Sequence, residues 1–410
     1  MATKLKTQRQ ALDDLWSQGL SGTSLLRSLS GLADEFIRDC FAGIDKAEKD
    51  NQVALVALGG YGRQELFPFS DIDLMILFKP EFRKSVGAIA DAILYPLWDT
   101  GFEVGHGVRT IDESLKQAAE DIIFQVALLD GRCIGGSEEL FLQLMAEFRH
   151  KFVDGRRREF ICDLNELSVE RRQRFGSHGY LLEPNIKESK GGFRDIQSMI
   201  WAAKVVFGIS TFDEIIEAGF LLPSEGERFN DAHNMLVKIR NRLHYISGRK
   251  NDQLYFEQQE ELAESFDYSK SGTGLSVEGF MRDVYGHLSS VTVIHDLFFD
   301  HVSEVLGLTA QEQRVSDRDL EKGIEIRDNR VHLKAGPETL AAKPYLLMRT
   351  FLASAKTGVG VHHRSKMHIT DNLGLIGDKM RKSPRMAKPF HAILGSSESV
   401  LPVLEGMLET

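Results

Sequence analysis

The chain has 410 residues, 42% hydrophobic and 27% charged, an ordinary globular composition with enough apolar mass for two or three domains. Its formal charge of −10 argues against a general polyanion binder, because nucleic-acid affinity rests on many cationic phosphate contacts, so no nucleic acid is expected as a partner. Cys40, Cys133 and Cys162 are too scattered for a disulfide framework or a zinc pattern; with no signal-peptide core and no apolar run near the roughly 20 residues of a membrane span, the expectation is a soluble, cytoplasmic protein that touches no membrane.

Apolar positions at helical spacing, Leu12, Leu15 and Trp16 and then Leu25, Leu26, Leu29, Leu32, Phe36, Ile37 and Phe41, predict two helices over residues 1–45, broken near Ser21-Gly22. The stretch that follows organises the rest. Val53 to Leu58 is an apolar run of strand length that ends at Gly59-Gly60, where backbone N–H groups can approach an anion without Cβ obstruction, as in a phosphate cradle. Asp71 and Asp73 open a second strand that continues through the apolar Leu74 to Phe78, and strand alternation sends both carboxylates out of one face. Like charges that close repel unless a proton or cation lies between them, and Mg²⁺ takes one or two carboxylates together with phosphate oxygens. A lone Asp-x-Asp is an ordinary strand end and a lone Gly-Gly an ordinary turn; joined as Gly59-Gly60-Tyr61-Gly62-Arg63-Gln-Glu65 and Ser70-Asp71-Ile72-Asp73 between two strands, they point to nucleotide and metal chemistry.

Phe82, Val86, Ile89, Ala90, Ile93, Leu94, Leu97 and Trp98 mark an amphipathic helix, and a strand is expected over Phe102 to Arg109. The acid of that strand is Glu103, sharing a face with Gly105 and Gly107, while His106 faces the other way. Further helices are expected over 112–150, with a break at Gly135-Gly136-Ser137, closing a domain of residues 46–150. A helical domain over 151–310 opens at Arg156 to Phe175, whose Arg156, Arg157, Arg158, Arg171, Arg172 and Arg174 read either as a solvated face or as a docking patch for an acidic partner. The loop Glu183 to Gly192 feeds a helix from Phe193, and its Gly191-Gly192 pair at a helix start is a second anion site. Lys187 there can reach a phosphate oxygen, and Arg194 with Asp195 can form a fixed pair, the alternative being a structural cap and ion pair. Ser224 and Glu227 have capping-box spacing, and a long helix is expected over 275–306. The final segment, 311–410, is read as a hairpin around Asp328-Asn329 followed by helices. His362, His363 and His368 sit among Arg364, Ser365 and Lys366 with no acidic or cysteine partner nearby in sequence, which speaks against a metal site.

The stretch from Val53 to Phe78, together with Leu181-Leu-Glu-Pro-Asn185-Ile-Lys187-Glu188-Ser-Lys-Gly191-Gly192-Phe193-Arg194-Asp195-Ile-Gln197, resembles the two signatures of the bacterial PII uridylyltransferases, within the nucleotidyltransferases of the DNA polymerase beta superfamily. The resemblance implies an α+β architecture: a polymerase beta-type domain with a small mixed sheet, then a helical bundle, then a hairpin and helical segment. It implies transfer of UMP from UTP to a tyrosine hydroxyl of the PII signal protein with release of pyrophosphate, supported by two Mg²⁺ ions on Asp71 and Asp73. Gly59, Gly60 and Ser70 would hold the triphosphate and Arg63 would add a fork, with the second signature folded back on the cleft. Such folds take a third carboxylate from the third strand, which here makes Glu103 either the base for the attacking hydroxyl or an exposed edge charge. Arg240, Arg242 and His244 belong to the helical domain without an assigned role. In that family a metal-dependent HD phosphohydrolase module and two ACT modules come next; they are expected to be missing here, and the isolated His295-Asp296 is not read as a hydrolase site. Two other readings stand beside this one: an adenylyltransferase of the glutamine synthetase adenylyltransferase type, and a catalytically idle nucleotide-sensing module.

Overall fold

Four strands carry the first part of the chain. The run Val53–Ala57 forms β1, buried at every position, and pairs antiparallel with β2, Ile72–Phe78, so that Leu55 faces Ile76. β3, Val104–Arg109, lies parallel to β2, and β4, Arg132–Gly136, antiparallel to β1, giving the order β3-β2-β1-β4. The structure, a computed structural model, describes residues 22–44, 49–176, 181–268, 276–308, 315–396 and 400–408; the helix expected around Leu12, Leu15 and Trp16 lies outside them.

β4 corrects the sequence reading, which took Gly135-Gly136 as a break between helices. These residues end an edge strand, where Gly136 adopts a φ of 74° and a Cβ would collide with the Val53 carbonyl. The third strand begins at Val104 rather than Phe102, so Glu103 stands just outside it, its carbonyl accepting from the Ile72 N–H at 2.9 Å.

Alternation decides which side of the sheet does what. Val53, Leu55 and Ala57 on β1 and Ile72, Leu74, Ile76 and Phe78 on β2 enter one apolar core with Leu25, Leu29, Phe36 and Ile37 of α1, Thr23–Ala42. Ile89, Ile93 and Leu97 join them from the helix after β2; burial of each such side chain is worth about 1.5–3 kcal/mol. The residues of opposite parity on β2, Asp73 and before it Asp71, therefore emerge on the face away from this core, at the end of the sheet where β2 begins.

The remaining helices follow in order: α2 (Gly59–Gly62), a single turn between β1 and β2; α3 (Arg83–Asp99); α4 (Ile111–Glu120); α5 (Ile122–Leu129); and α6 (Glu138–Phe148). Then come α7 (Arg157–Phe175), α8 (Phe193–Val206), α9 (Phe212–Glu217), α10 (Pro223–Ser247), α11 (Phe256–Ser265) and α12 (Ser276–Leu306). α10 starts two residues earlier than the Ser224 cap predicts. Pro223 takes the first helical position, and Glu225, three residues past Leu222, accepts from the Leu222 N–H at 2.7 Å.

Contacts divide the chain into two compact units, Met1–Val291 and Thr292–Thr410, the boundary falling within α12. In the second unit β5 (Arg318–Glu321), β6 (Ile324–Arg327) and β7 (Arg330–Leu333) form an antiparallel sheet. Asp328 and Asn329 both take positive φ, 48° and 56°, the two-residue turn that fits strand twist, so the hairpin read from the sequence is present with a third strand beside it. Helices α13 (Pro337–Ala342), α14 (Tyr345–Thr357), α15 (His363–Asp371), α16 (Pro384–Leu394) and α17 (Val400–Leu408) follow, and Ile324, Val331, Leu347, Phe351, Ile393 and Val403 meet in their own core. The fold is α+β, a small mixed sheet with helices followed by helical structure. Among the described residues no helix is long and apolar enough to cross a membrane.

Candidate active site

Asp73 stands in β2 opposite Gly105 of β3, and its carboxylate lies against the glycine's bare backbone: a Cβ at Gly105 would overlap Asp73 Oδ1. The other oxygen, Oδ2, would be 3.5 Å from a Cβ on Gly59, whose φ is 53°. The glycine pair and the two carboxylates are thus neighbours. The glycines form the turn α2 rather than an open loop, and as its first residues Gly59 and Gly60 carry N–H groups with no carbonyl one turn earlier in the helix to accept them. Both glycines line a cleft of about 170 Å³, with Ser70, Asp71 and Asp73 beside them.

The electrostatics of the pair are those that a bound cation would relieve. Partial burial and then the Asp71 charge push the Asp73 carboxyl above the usual carboxylate range. Asp71 has one oxygen, Oδ2, in contact with the Lys250 ammonium, while the other, Oδ1, is buried with no hydrogen-bond partner. An orphaned, buried carboxylate oxygen beside a second acid fits a divalent ion. Among the described residues no group of three or more His, Cys, Asp or Glu could hold a metal, and two carboxylates suit Mg²⁺, which keeps water and phosphate oxygens as its remaining ligands.

Cations face these acids across the cleft. Lys187, from the second signature, lines it with its pKa lowered to about 8 by burial and by the Arg194 and Arg240 charges. Arg194 also lines it, held by Gln197 Oε1 at 2.9 Å and Glu188 Oε1 at 3.4 Å. Lys250 and Arg240, neither assigned a role from sequence, complete the set. Arg240 binds Asp252 through two nitrogens, at 2.6 and 3.1 Å, with its guanidinium 3.9 Å from the centre of the Phe67 ring. Burial opposes the charge of Asp252, yet Arg240 and His244 hold its carboxyl well below the usual range. The backbone around Asp252 also positions the signature loop: Ile186 N–H donates to the Asp252 carbonyl at 2.8 Å and Leu254 N–H to the Pro184 carbonyl at 2.9 Å, so Lys187 and Lys250 stand on two strapped-together segments. His244, buried and with its pKa lowered by burial, accepts from Phe69 N–H at 3.2 Å; it is a structural link rather than a cleft group.

Several assignments change. Gly191 and Gly192 do not line the cleft, and their N–H groups are already used, by Asp195 Oδ2 at 2.6 Å and by the Ser189 carbonyl at 2.9 Å. Gly192 is glycine for close packing, since a Cβ would stand 2.6 Å from the Ile186 carbonyl. Asp195 does not pair with Arg194: neighbours on a helix point about 100° apart, and the fully buried Asp195 turns inward to Arg171 of α7. Arg171 is therefore not part of a solvated basic face. Arg63 lines the cleft but spends Nε on Glu65 at 2.7 Å and Nη1 on Asp130 at 2.6 Å, leaving Nη2 near Gly60. Burial works against its charge, while Glu65 and Asp130 raise its pKa. Asp130, unread in the sequence, is fully buried and also takes Trp201 Nε1 and Lys204 Nζ, each at 2.8 Å. Its signal was an acid closing the apolar helix Ile122–Leu129. Glu103 sits one residue before Val104, the register partner of Ile72, and so across from Asp71; its side chain is exposed and outside the cleft lining.

A mixed sheet that carries a carboxylate pair at one end of an inner strand, next to a glycine turn and under a lysine and arginine rim, defines the nucleotidyltransferase class. The comparisons agree: residues 6–115 match the DUF294 nucleotidyltransferase family and residues 159–299 the family described as GlnD PII-uridylyltransferase. Among curated proteins, the bifunctional uridylyltransferase/uridylyl-removing enzyme of Bradyrhizobium diazoefficiens is 30% identical over 100% of this chain and 46% of its own length. Those of Rhodopseudomonas palustris and Pseudomonas aeruginosa are each 30% identical, over 94% and 96% of this chain and 42% and 43% of their own lengths. The chain is similar to these uridylyltransferases along nearly all of its own length, and it spans less than half of theirs.

Proposed function

We propose that the chain transfers UMP from UTP to a tyrosine hydroxyl of a PII signal protein in the cytoplasm, releasing pyrophosphate. The observation that carries this reading is the seat of Asp73 between Gly59 and Gly105, beside an Asp71 whose Oδ1 has no partner. The tyrosine oxygen forms a bond to the α-phosphorus as the bond to the pyrophosphate oxygen breaks. Asp71 and Asp73 would hold Mg²⁺, two ions in this reading, and the bound metal would supply charge neutralisation at the phosphates and acidify the attacking hydroxyl. The residues of the chain do the rest: the Gly59 and Gly60 amides and Ser70 cradle phosphate oxygens, and Lys187, Arg194 and Lys250 offset their charge. Arg63 fixes the wall behind them. Glu103, opposite Asp71 and one residue before β3, is the base in this reading.

The test is incorporation of label from UTP or from ATP into added PII, with the wild type and Asp73→Asn side by side. Label from UTP alone, lost in the variant, is the expected result. Label from ATP alone would move the donor to adenylyl transfer, and undiminished activity of Asp73→Asn would sink the carboxylate assignment.

One observation favours a second reading, nucleotide sensing without turnover: the other acids of the cleft, Glu65 and Asp130, are both tied to Arg63, and Glu103 is outside the lining. UTP binding without product on the same sample would support it.

A further inference from the structure

The C-terminal unit has a cavity of its own, about 260 Å³, bounded by α14, the Gly358–Val361 loop, the first turn of α15 and α17. Its lining carries Arg330, His363 and Lys366 and, among the described residues, no acid. That places the basic stretch around His363 and Lys366, which the active site did not absorb, on a concave wall.

Donors without acceptors lie along this wall. Val359, Gly360 and Val361 line the cavity in succession, and none of their three N–H groups makes a hydrogen bond among the described residues; Gly360 is exposed, but Val359 and Val361 are only 6% and 5% exposed. Buried N–H groups almost always find a partner. Ser354 of α14 also lines the cavity; it is 5% exposed, and its hydroxyl bonds to nothing among the described residues. The segment is extended where it pairs with β7, Val331 N–H donating to the Gly360 carbonyl and His362 N–H to the Val331 carbonyl, so the Val361 N–H points away from β7; with the Val359 N–H and the Ser354 hydroxyl it leaves unpaired donors on the cavity wall, which suits an anion.

The acids that steady the cations stand behind the wall. Asp300 Oδ1 holds Arg330 Nη2 at 3.3 Å and Oδ2 lies 3.4 Å from His363 Nε2, while Asp296 Oδ2 is 3.9 Å from His363 Nδ1. The fold thus gives His295-Asp296 neighbours that the sequence did not reveal, but they act on Arg330 and His363 rather than forming a metal group. Gly360 is what lets Arg330 approach: a Cβ there would stand 2.9 Å from Nη1. The guanidinium lies on the same loop that offers the amides.

We propose that this cavity binds a small oxyanion, seated on the Val359 and Val361 amides and the Ser354 hydroxyl, with Arg330 and Lys366 supplying countercharge. Its size is below the roughly 300–1,000 Å³ of drug-sized ligand sites, so the ligand is a small metabolite bearing a phosphate or a carboxylate. The proposal is independent of the transferase reading.

The test is an NMR titration of the full chain, at constant ionic strength, with sodium phosphate and separately with sodium succinate, following the amides of Val359 and Val361. They should shift together and saturate with at least one anion: phosphate alone identifies a phosphorylated ligand, succinate alone a carboxylate, and both a general oxyanion seat. Lys366→Gln should weaken that binding about tenfold through loss of a charge-assisted contact. Ser354→Ala, which removes a hydroxyl that bonds nothing in the free chain, should weaken it about fivefold while leaving the melting temperature without anion unchanged. Amides that stay fixed with both anions up to about 50 mM, where even the weakest useful sites fill, would overturn the proposal, as would saturation curves that neither substitution moves.

Discussion

The Lys250 ammonium contacts Asp71 Oδ2, across 179 positions of sequence, and so occupies one side of the carboxylate that a metal would need. In the cation-free protein the lysine is a competitor for that oxygen. Lys250→Met should therefore strengthen Mn²⁺ or Mg²⁺ binding, measured by titration without nucleotide, by about three- to tenfold, the modest size expected of a half-exposed charge pair. Unchanged or weaker metal binding would mean that the lysine does not compete there.

Asp73 makes the opposite prediction for stability and activity. Its raised pKa means that ionisation is disfavoured in the folded chain, by burial and by Asp71, so the strain of the pair grows as pH rises through its folded value. Asp73→Asn removes that charge. The variant should lose transfer altogether, yet melt about 2 °C higher than wild type at pH 7 without metal, a small gain because water screens the open side of the cleft. With saturating Mg²⁺ and nucleotide the order should reverse.

The parts of this site that could be read in sequence are those whose partners are close along the chain. Gly59, Gly60, Asp71 and Asp73 lie within one strand, turn and strand, and period-two alternation alone places both acids on one face. Lys250, Asp130 and the Arg240 and Asp252 pair could not be read, because each works through a residue brought near only by packing, as when Asp130 gathers Arg63, Lys204 and Trp201. Gly191-Gly192 misled for another reason: glycine before a helix marks either an anion seat or a tight crossing of backbones, and the Ile186, Lys187 and Ser189 carbonyls crowded around Gly192 decide for the second. The edge strand at Arg132–Gly136 was missed because its glycines suppress strand propensity.

Lys187 should give the cleft a pH signature. Its pKa of about 8 lies below the usual lysine value, chiefly through burial, so in the free protein the cation is lost as pH rises from 7 to 9. Nucleotide affinity should fall over that window, by about tenfold if the ammonium meets a phosphate oxygen. Stability runs the other way: between about 8 and the ordinary lysine value near 10.4 the unfolded chain binds the extra proton, so this residue's contribution to folding rises with pH. Lys187→Arg should flatten the affinity profile while retaining binding; a profile that survives the substitution would assign the titration elsewhere.

Asp130 ties the sheet domain to α8, since its fully buried carboxylate takes Arg63, Lys204 and Trp201 together. Asp130→Ala leaves Lys204 without its counter-ion and Arg63 with Glu65 alone, which should cost about 3–5 kcal/mol in urea unfolding. Asp130→Asn keeps the shape and removes the charge, and should cost less while freeing Arg63 toward the cleft.

Gly105 offers the sharpest separation of geometry from fold. β3 has no side chain at the one position where the Asp73 carboxylate crosses it, and a Cβ there would overlap Oδ1. Gly105→Ala cannot push β3 aside without breaking its register with β2, in which Ile72 to Leu77 pair in turn with Val104 to Arg109, so the carboxylate must rotate away from Gly59 instead. Alanine is otherwise acceptable here, because Gly105 does not take a positive φ. The variant should unfold within about 1.5 kcal/mol of wild type but transfer about a hundredfold more slowly, the cost of moving a reacting geometry by an ångström. Circular dichroism with urea and single-turnover label transfer measure the two separately, and full activity in Gly105→Ala would show that Asp73 does not act from the position it holds between the two glycines.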